Sequence, residues 1–158
     1  MHAWSFLKYW LPVLLWLGFI FIGSTDLMSA EHTSRFLIPF LLWLKPDLSP
    51  ETIGQIHFVF RKLGHVTEYA ILAMLFWRAL RHETDLQTKA ILRLRSEQTL
   101  FLSVWILCAI FAAADEFHQS FVPSRGAGWS DVLIDSAGAI FGLLISAGFA
   151  KRRARKDK

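Results

Sequence analysis

Residues 100–121 read LFLSVWILCAIFAAADEFHQSF, and this stretch decides what kind of protein the chain forms. The run from Leu100 to Ala114 carries no charge, but as a helix it rises only about 22 Å, at about 1.5 Å per residue. The hydrocarbon core of a bilayer is about 30 Å thick, so a spanning helix must continue through residues 115–121. Two carboxylates and an imidazole then lie at membrane depth, where ionisable groups are costly and are functional candidates by default.

The composition of the whole chain also indicates a membrane protein. Of its 158 residues, 54% are hydrophobic and 15% are aromatic, and the apolar residues come in long blocks. We expect a single membrane domain over residues 1–150, followed by a basic cytoplasmic tail over residues 151–158. The net charge of +4 comes from basic residues beside apolar segments, which favours membrane orientation over nucleic-acid binding.

Four apolar segments have about the length that a transmembrane helix needs. They are Trp4 to Gly23, Leu63 to Leu80, Thr99 to Phe121 and Asp131 to Ala150. A fifth piece, Phe36 to Leu44, is too short to span and contains Pro39, so we expect an interfacial or re-entrant segment. The predicted fold is all-α, a polytopic membrane protein with four transmembrane helices. We expect the first helix to stay uncleaved, because Met28 is too bulky for a signal-peptidase site ending at Ala30.

The distribution of basic residues predicts the orientation, since Lys and Arg in short loops stay in the cytoplasm. Lys8 supplies one, the loop between the second and third helices supplies five and the tail supplies six, which is twelve of the seventeen. Both termini are therefore predicted to be cytoplasmic. The loop from His82 to Gln98 carries Leu86, Ala90 and Leu94 four residues apart, so it fits either a short surface helix or a solvated connector.

This orientation brings the polar residues of the spans to one depth, in the outer leaflet. On each helix they recur three and four residues apart and so share a face, except Glu116, which points about 100° away from Asp115. We therefore expect one polar pocket that is open to the outside. Its predicted lining is Lys62, His65, Glu68, Tyr69, Asp115, Glu116, His118, Gln119, Arg125, Asp131 and Asp135.

Two glycines on the fourth predicted helix indicate close helix packing. Gly138 and Gly142 form the small-residue pattern that lets membrane helices touch, so the aspartates on the same stripe are expected to face inward too. Carboxylates outnumber Lys62 and Arg125, which leaves room for a shared proton, metal ion or cationic ligand. The alternative is that these groups only cross-link helices, although membrane hydrogen bonds contribute only about 0.6 kcal/mol each.

Three pieces of the chain resemble the VanZ-like family of small bacterial membrane proteins. They read KLGHVTEYAIL (62–72), DEFHQSFVPSR (115–125) and DVLIDSAG (131–138), in family order. Asp135 departs from the family pattern, in which Asn is common. The resemblance implies a four-helix protein of the bacterial cytoplasmic membrane. The family takes its name from a member associated with resistance to the glycopeptide antibiotic teicoplanin, without any change to the peptidoglycan precursor.

The predicted pocket favours a binding protein. It would take membrane lipid, a lipid-linked cell-wall intermediate or an amphipathic glycopeptide-type antibiotic, with the hydrophobic part between helices. An anionic head group would meet Arg125 and Lys62. The polar side chains lie at only one end of the predicted bundle, so they form no continuous path across the membrane. This disfavours a channel.

The other function that stays open is a membrane-embedded hydrolase or transferase. His65 with Glu68, or Asp115 with His118, are three residues apart on one face and are candidates for general acid and base. The same four residues are the candidates if a divalent metal binds, although the sequence alone does not predict a metal site. It shows no fixed nucleophile, identifies no cofactor and leaves the oligomeric state open.

Overall fold

The computed structural model describes residues 3–26, 30–88, 97–123, 125 and 128–156. Within these ranges the chain is helical, and no residue there belongs to a strand. The helices in the described ranges are α1 (Ala3–Gly23), α2 (Ala30–Leu44), α3 (Pro50–Thr88), α4 (Glu97–Gln119) and α5 (Trp129–Lys156). The predicted all-α class is therefore confirmed.

Three of these helices are long and apolar enough to cross a bilayer. Their apolar stretches are Trp4–Gly23, Glu97–Gln119 and Trp129–Arg153. Only 11% of the α1 stretch and 28% of each of the other two is buried inside the bundle. Large side chains such as Leu15, Ile110 and Leu144 point outward and are exposed. An apolar surface of this extent is typical of helices that face lipid, so the three helices mark the chain as a membrane protein.

The helix α3 is much longer than the second span predicted from the sequence. That prediction covered Leu63 to Leu80, whereas α3 runs from Pro50 to Thr88 over 39 residues. At about 1.5 Å per residue it is about 58 Å long, roughly twice the hydrocarbon core. It begins with Pro50 at its first position and with Ser49 as the cap, whose Oγ accepts a hydrogen bond from the Thr52 amide at 3.2 Å.

The helix α3 also forms the centre of the bundle. The helices α1, α2, α4 and α5 all pack against it. Its middle residues Tyr69, Leu72, Ala73, Phe76 and Ala79 are buried, since neighbours cover several sides of the helix. Because other helices cover this middle part, its surface need not be apolar on every side, and α3 is not among the three helices that are apolar enough to span by composition. The core is completed by Val13, Val104, Cys108, Ala112, Ala139 and Leu143.

The helices α3 and α5 run parallel and touch backbone to backbone. A Cβ atom on Gly138 would lie 2.5 Å from the carbonyl oxygen of Val66, and one on Gly142 would lie 2.8 Å from the carbonyl carbon of Ala70. Both distances are too short for a carbon contact, so any larger residue forces the helices apart. Asp135 lies about one turn before Gly138, which positions it beside α3 as well.

Two connecting segments differ from the prediction in extent. The expected interfacial piece, Phe36 to Leu44, is the second part of α2, whose 15 residues are too few to cross a bilayer. This helix packs on α3, and Thr33 Oγ1 lies 3.0 Å from His57 Nε2. In the loop expected from His82 to Gln98, residues up to Thr88 continue α3 and residues from Glu97 begin α4. Residues 89–96, and with them most of the predicted surface helix, lie outside the described residues.

Candidate functional site

The predicted polar residues come together at the end of the bundle where α1 and α4 terminate and α5 begins. Hydrogen bonds connect the helices there, from Ser24, directly after α1, to Asp115 of α4 and from Lys62 of α3 to Asp131 of α5. Consecutive residues on a helix point about 100° apart, so on α4 Asp115 faces α1 while Glu116 faces α5, and the polar residues form two adjoining groups. The α1-side group is Ser24, Glu68, Tyr69, Asp115, His118 and Gln119, and the α5-side group is Lys62, His65, Glu116, Asp131 and Asp135.

The α1-side group is organised around Asp115. Its carboxylate accepts a hydrogen bond from the Ser24 hydroxyl and another from Gln119 Nε2, the latter at 2.8 Å. Ser24 and Gln119 are both buried. Sequence analysis missed Ser24, although a hydroxyl directly after the last glycine of an apolar span is a usable signal. Glu68 lies beside the end of α1, and its backbone carbonyl accepts a hydrogen bond from Trp16 Nε1 at 2.9 Å.

A cavity of about 450 Å³ lies between α1 and α4, and we call it the α1–α4 cleft. Its polar lining is Tyr69, Asp115 and His118, and its apolar lining is Leu17, Gly18, Ile20, Phe21, Phe111 and Ala114. Within the described residues, the buried Tyr69 hydroxyl and His118 Nδ1 have no hydrogen-bond partner. Gly18 and Phe21 are exposed on the side of the bundle, so the cleft is open toward lipid.

In the α5-side group, Lys62 is already paired. Its ammonium donates to Oδ1 of Asp131, and Arg61 lies 3.6 Å from Oδ2 of the same carboxylate. Asp131 is buried and also accepts a hydrogen bond from the Ser130 hydroxyl at 3.2 Å. The pair cross-links α3 to the first turn of α5. Lys62 therefore neutralises Asp131 in this structure and does not indicate an open site for an anion.

Below that pair, His65, Glu116 and Asp135 form a compact buried cluster. His65 Nδ1 lies 3.2 Å from Asp135 Oδ1, and Glu116 Oε2 accepts a hydrogen bond from the Gly128 amide at 2.8 Å. One donor atom from each side chain lies within 4.8 Å of the other two. Of the four metal candidates taken from the sequence, only His65 belongs to this cluster. Glu68, Asp115 and His118 lie outside it, while Glu116 and Asp135 were predicted only as pocket residues.

Arg125 caps the end of α1. Its guanidinium donates to the carbonyl of Gly23 and, at 2.9 and 3.2 Å, to the carbonyl of Thr25. The last carbonyls of a helix have no partner inside it, so a cation is well suited there. Burial lowers the pKa of the Arg125 guanidinium, and the charge of Arg61 lowers it further, whereas Asp115 and other carboxylates raise it. The sequence predicted a ligand contact for Arg125, and the structure places it on the backbone of α1.

Apolar, lipid-facing helices around a cluster of buried ionisable groups define an all-helical membrane protein with a candidate site at one end. The sequence matches the VanZ/LLP1 family over residues 9–150, which is most of its length. The chain therefore belongs to the VanZ/LLP1 family, and the resemblance read from the three sequence pieces is confirmed. The matched range includes every residue of both polar groups. No curated protein and no solved structure matches the chain.

Proposed function

We propose that this protein binds an amphipathic molecule from the membrane in the α1–α4 cleft. One observation carries the proposal: the cleft combines apolar walls with Tyr69, Asp115 and His118 in a single cavity. Its volume of about 450 Å³ is within the range of about 300–1,000 Å³ that small-molecule sites occupy. A hydrocarbon part would lie along the apolar walls while a polar part meets the three polar side chains.

The polar part that fits best is one that exchanges hydrogen bonds, not a simple anion. Lys62 is paired with Asp131, and Arg125 is bonded to the end of α1, so both expected anion contacts are already engaged. Asp115 in the cleft repels an anion and accepts hydrogen bonds. The hydroxyl and amide groups of a lipid-linked cell-wall intermediate, or of a glycopeptide-type antibiotic, match these side chains.

The proposal includes a position in the outer leaflet of the bacterial cytoplasmic membrane. We propose four spans, with residues 63–80 of α3 as the second span and with both termini in the cytoplasm. The parallel packing of α3 and α5 agrees with it, since both helices then start on the outer side. Arg78, Arg81 and Arg153 line a groove at the opposite end of the bundle from the two polar groups, as the excess of basic residues on the cytoplasmic side requires.

Native mass spectrometry of protein extracted gently from its own membrane tests the proposal. The wild-type protein should retain an amphipathic molecule. Gly18→Phe should lose it, because Gly18 lines the cleft and a Cβ added there has no atom within 4 Å, so the larger ring can occupy the space that the ligand needs. Gly148→Phe is the matched control, because it adds the same ring to α5 at an open position outside the cleft. Equal retention by the two variants would rule the cleft out as the binding site.

One observation favours an enzyme as the second candidate, a membrane hydrolase or transferase. His65 Nδ1 lies 3.2 Å from Asp135 Oδ1, which places a candidate base beside a carboxylate. Two of the described serines near this end, Ser120 and Ser130, are otherwise engaged: Ser120 donates to the Phe117 carbonyl at 2.6 Å, and Ser130 donates to Asp131. Ser24 donates to Asp115 in the α1-side group. Ser124 lies outside the described residues. With none of the hydroxyls of Ser24, Ser120 and Ser130 directed at His65, the nucleophile would be water, and binding remains the preferred proposal.

A further inference from the structure

We infer that His65, Glu116 and Asp135 bind a divalent transition-metal ion of the Zn²⁺ or Mn²⁺ type where α3, α4 and α5 meet. Each residue offers one donor atom, and the three atoms lie within 4.8 Å of one another. The inference is independent of the proposed function, because other side chains form the polar lining of the α1–α4 cleft. It also differs from the metal candidates in the sequence, three of which lie outside this cluster.

The hydrogen bonding of the cluster is incomplete. Asp135 is fully buried, and neither of its carboxylate oxygens has a hydrogen-bond partner within the described residues. The same holds for Nδ1 of His65 and Oε1 of Glu116, in residues that are each only 6% exposed. His65 and Asp135 are close at 3.2 Å but are not aligned as a hydrogen bond. Buried charges in proteins are paired or coordinate metals, and these three side chains point at one another.

The charges of the cluster favour a bound cation. Lys62 and Arg61 lie against Asp131, and Arg125 is bonded to carbonyls of α1. Glu116 and Asp135 therefore share one imidazole, and with both carboxyl groups ionised the cluster is negative even when His65 is protonated. A divalent ion balances two carboxylates and leaves the imidazole neutral, as metal ligation requires.

The ligand set also indicates the kind of ion. One imidazole with two carboxylates suits Zn²⁺ or Mn²⁺, because imidazole nitrogen favours the former and carboxylate oxygen the latter. Metal–ligand bonds of about 2.1 Å at tetrahedral angles place donor atoms about 3.4 Å apart, so closing the cluster takes side-chain shifts of up to about 1.4 Å. Three protein ligands leave a coordination position for water or a ligand, as in catalytic zinc sites.

A second cavity gives access to this position. It has a volume of about 260 Å³, lies between α4 and α5, and Glu116 is part of its wall. Phe117 and Trp129 form its rim and are both exposed on the surface of the bundle. Glu116 thus lies between this cavity and the buried donor atoms of the cluster, so this is the side from which water or a ligand group would approach a bound ion.

Metal binding to the full-length protein in lipid nanodiscs tests the inference. After chelator treatment and desalting, Zn²⁺ and Mn²⁺ are titrated separately, and bound metal is quantified by mass spectrometry. We expect one ion per chain in the wild type. Asp135→Asn and Glu116→Gln should each weaken binding at least about 100-fold, since even indirect partners of a metal site contribute 10–100-fold. Glu97→Gln is the matched control, because it removes an exposed carboxylate at the other end of α4 and should bind as the wild type does.

The outcomes separate clearly. A wild-type protein that retains less than about a tenth of an ion per chain overturns the inference, and so does equal binding by Asp135→Asn and Glu97→Gln. If Asp135→Asn fails to fold, the wild-type titration and Glu116→Gln still decide. Co²⁺ in the wild type adds a spectroscopic readout, because its visible bands report nitrogen and oxygen ligands directly. Gly18→Phe should keep its metal, so failure of the cleft proposal and failure of this one are distinguishable.

Discussion

Gly138→Ala should separate α5 from α3 and destabilise the bundle. The added Cβ would lie 2.5 Å from the Val66 carbonyl oxygen, and ordinary contact begins at 3.4 Å, so the helices must part by about 0.9 Å. Overpacking of this kind costs about 1–3 kcal/mol in unfolding free energy. Replacing a helical glycine by alanine also returns about 1 kcal/mol of helix propensity, which partly hides the steric cost.

A second glycine on the same helix removes that ambiguity. Gly148 has no atom within 4 Å of an added Cβ, so Gly148→Ala carries the propensity gain without the clash. The difference between the two variants should therefore be about 1–3 kcal/mol, with Gly138→Ala the less stable. Reversible unfolding in mixed micelles, followed by circular dichroism against SDS mole fraction, measures both. Equal unfolding free energies for the two variants would refute the close contact between α3 and α5.

Two further predictions follow from the buried ion pair and from the proposed orientation. Lys62→Met should cost about 1.5–3 kcal/mol, because it removes the closer of the two cations at buried Asp131 and leaves only Arg61 at 3.6 Å. Lys62→Met with Asp131→Leu should recover much of this loss, as thermal unfolding can show. If the double variant is no more stable than Lys62→Met, the pair is not the source of the loss. A cysteine at Ser130 should react with a membrane-impermeant maleimide in intact cells, whereas one at Lys156 should react only after lysis; the reverse pattern contradicts an outward polar end. The native Cys108 is buried, so its own reaction with the maleimide should be slow and the background labelling low.

The convergence of polar residues at one end of the bundle was predictable from the sequence. The run from Leu100 to Ala114 is too short to span alone, which places Asp115 and Glu116 near the end of α4. Lys62 lies at the start of one apolar segment and Asp131 at the start of another. Segment length and chain direction therefore decide the depth of each group, and both can be counted along the chain.

The division into two groups was not predictable. The helical period separates Asp115 from Glu116 by about 100°, but it does not say that α1 covers one face and α5 the other. The contacts of Ser24 and Arg125 depend on the same tertiary arrangement. Ser24 donates to Asp115, 91 residues away in the sequence, and Arg125 donates to the carbonyl of Thr25, 100 residues away. The cluster of His65, Glu116 and Asp135 needs three helices in register, and no single stretch of sequence carries it.

The extent of α3 escaped prediction for a different reason. Hydropathy identifies helices that face lipid, and α3 mainly faces other helices. Hydropathy predicted its apolar middle, but residues 50–62 and 81–88 contain charged and amide side chains, which are typical of loops. The pattern of Ser49 and Pro50 at its start is a helix-beginning signal that sequence analysis passed over.

The helix α3 is uninterrupted through the bundle, so a tilt of this helix would move both of its ends. Its tight contact with α5 is at Val66 and Ala70, and α3 extends about 25 Å from this contact in each direction. A tilt of about 5° about that point would move the two tips by about 2 Å in opposite senses, given those arm lengths. Such a tilt would displace the C-terminal part of α3, where the rings of His82 and Tyr9 stack with their centroids 3.8 Å apart.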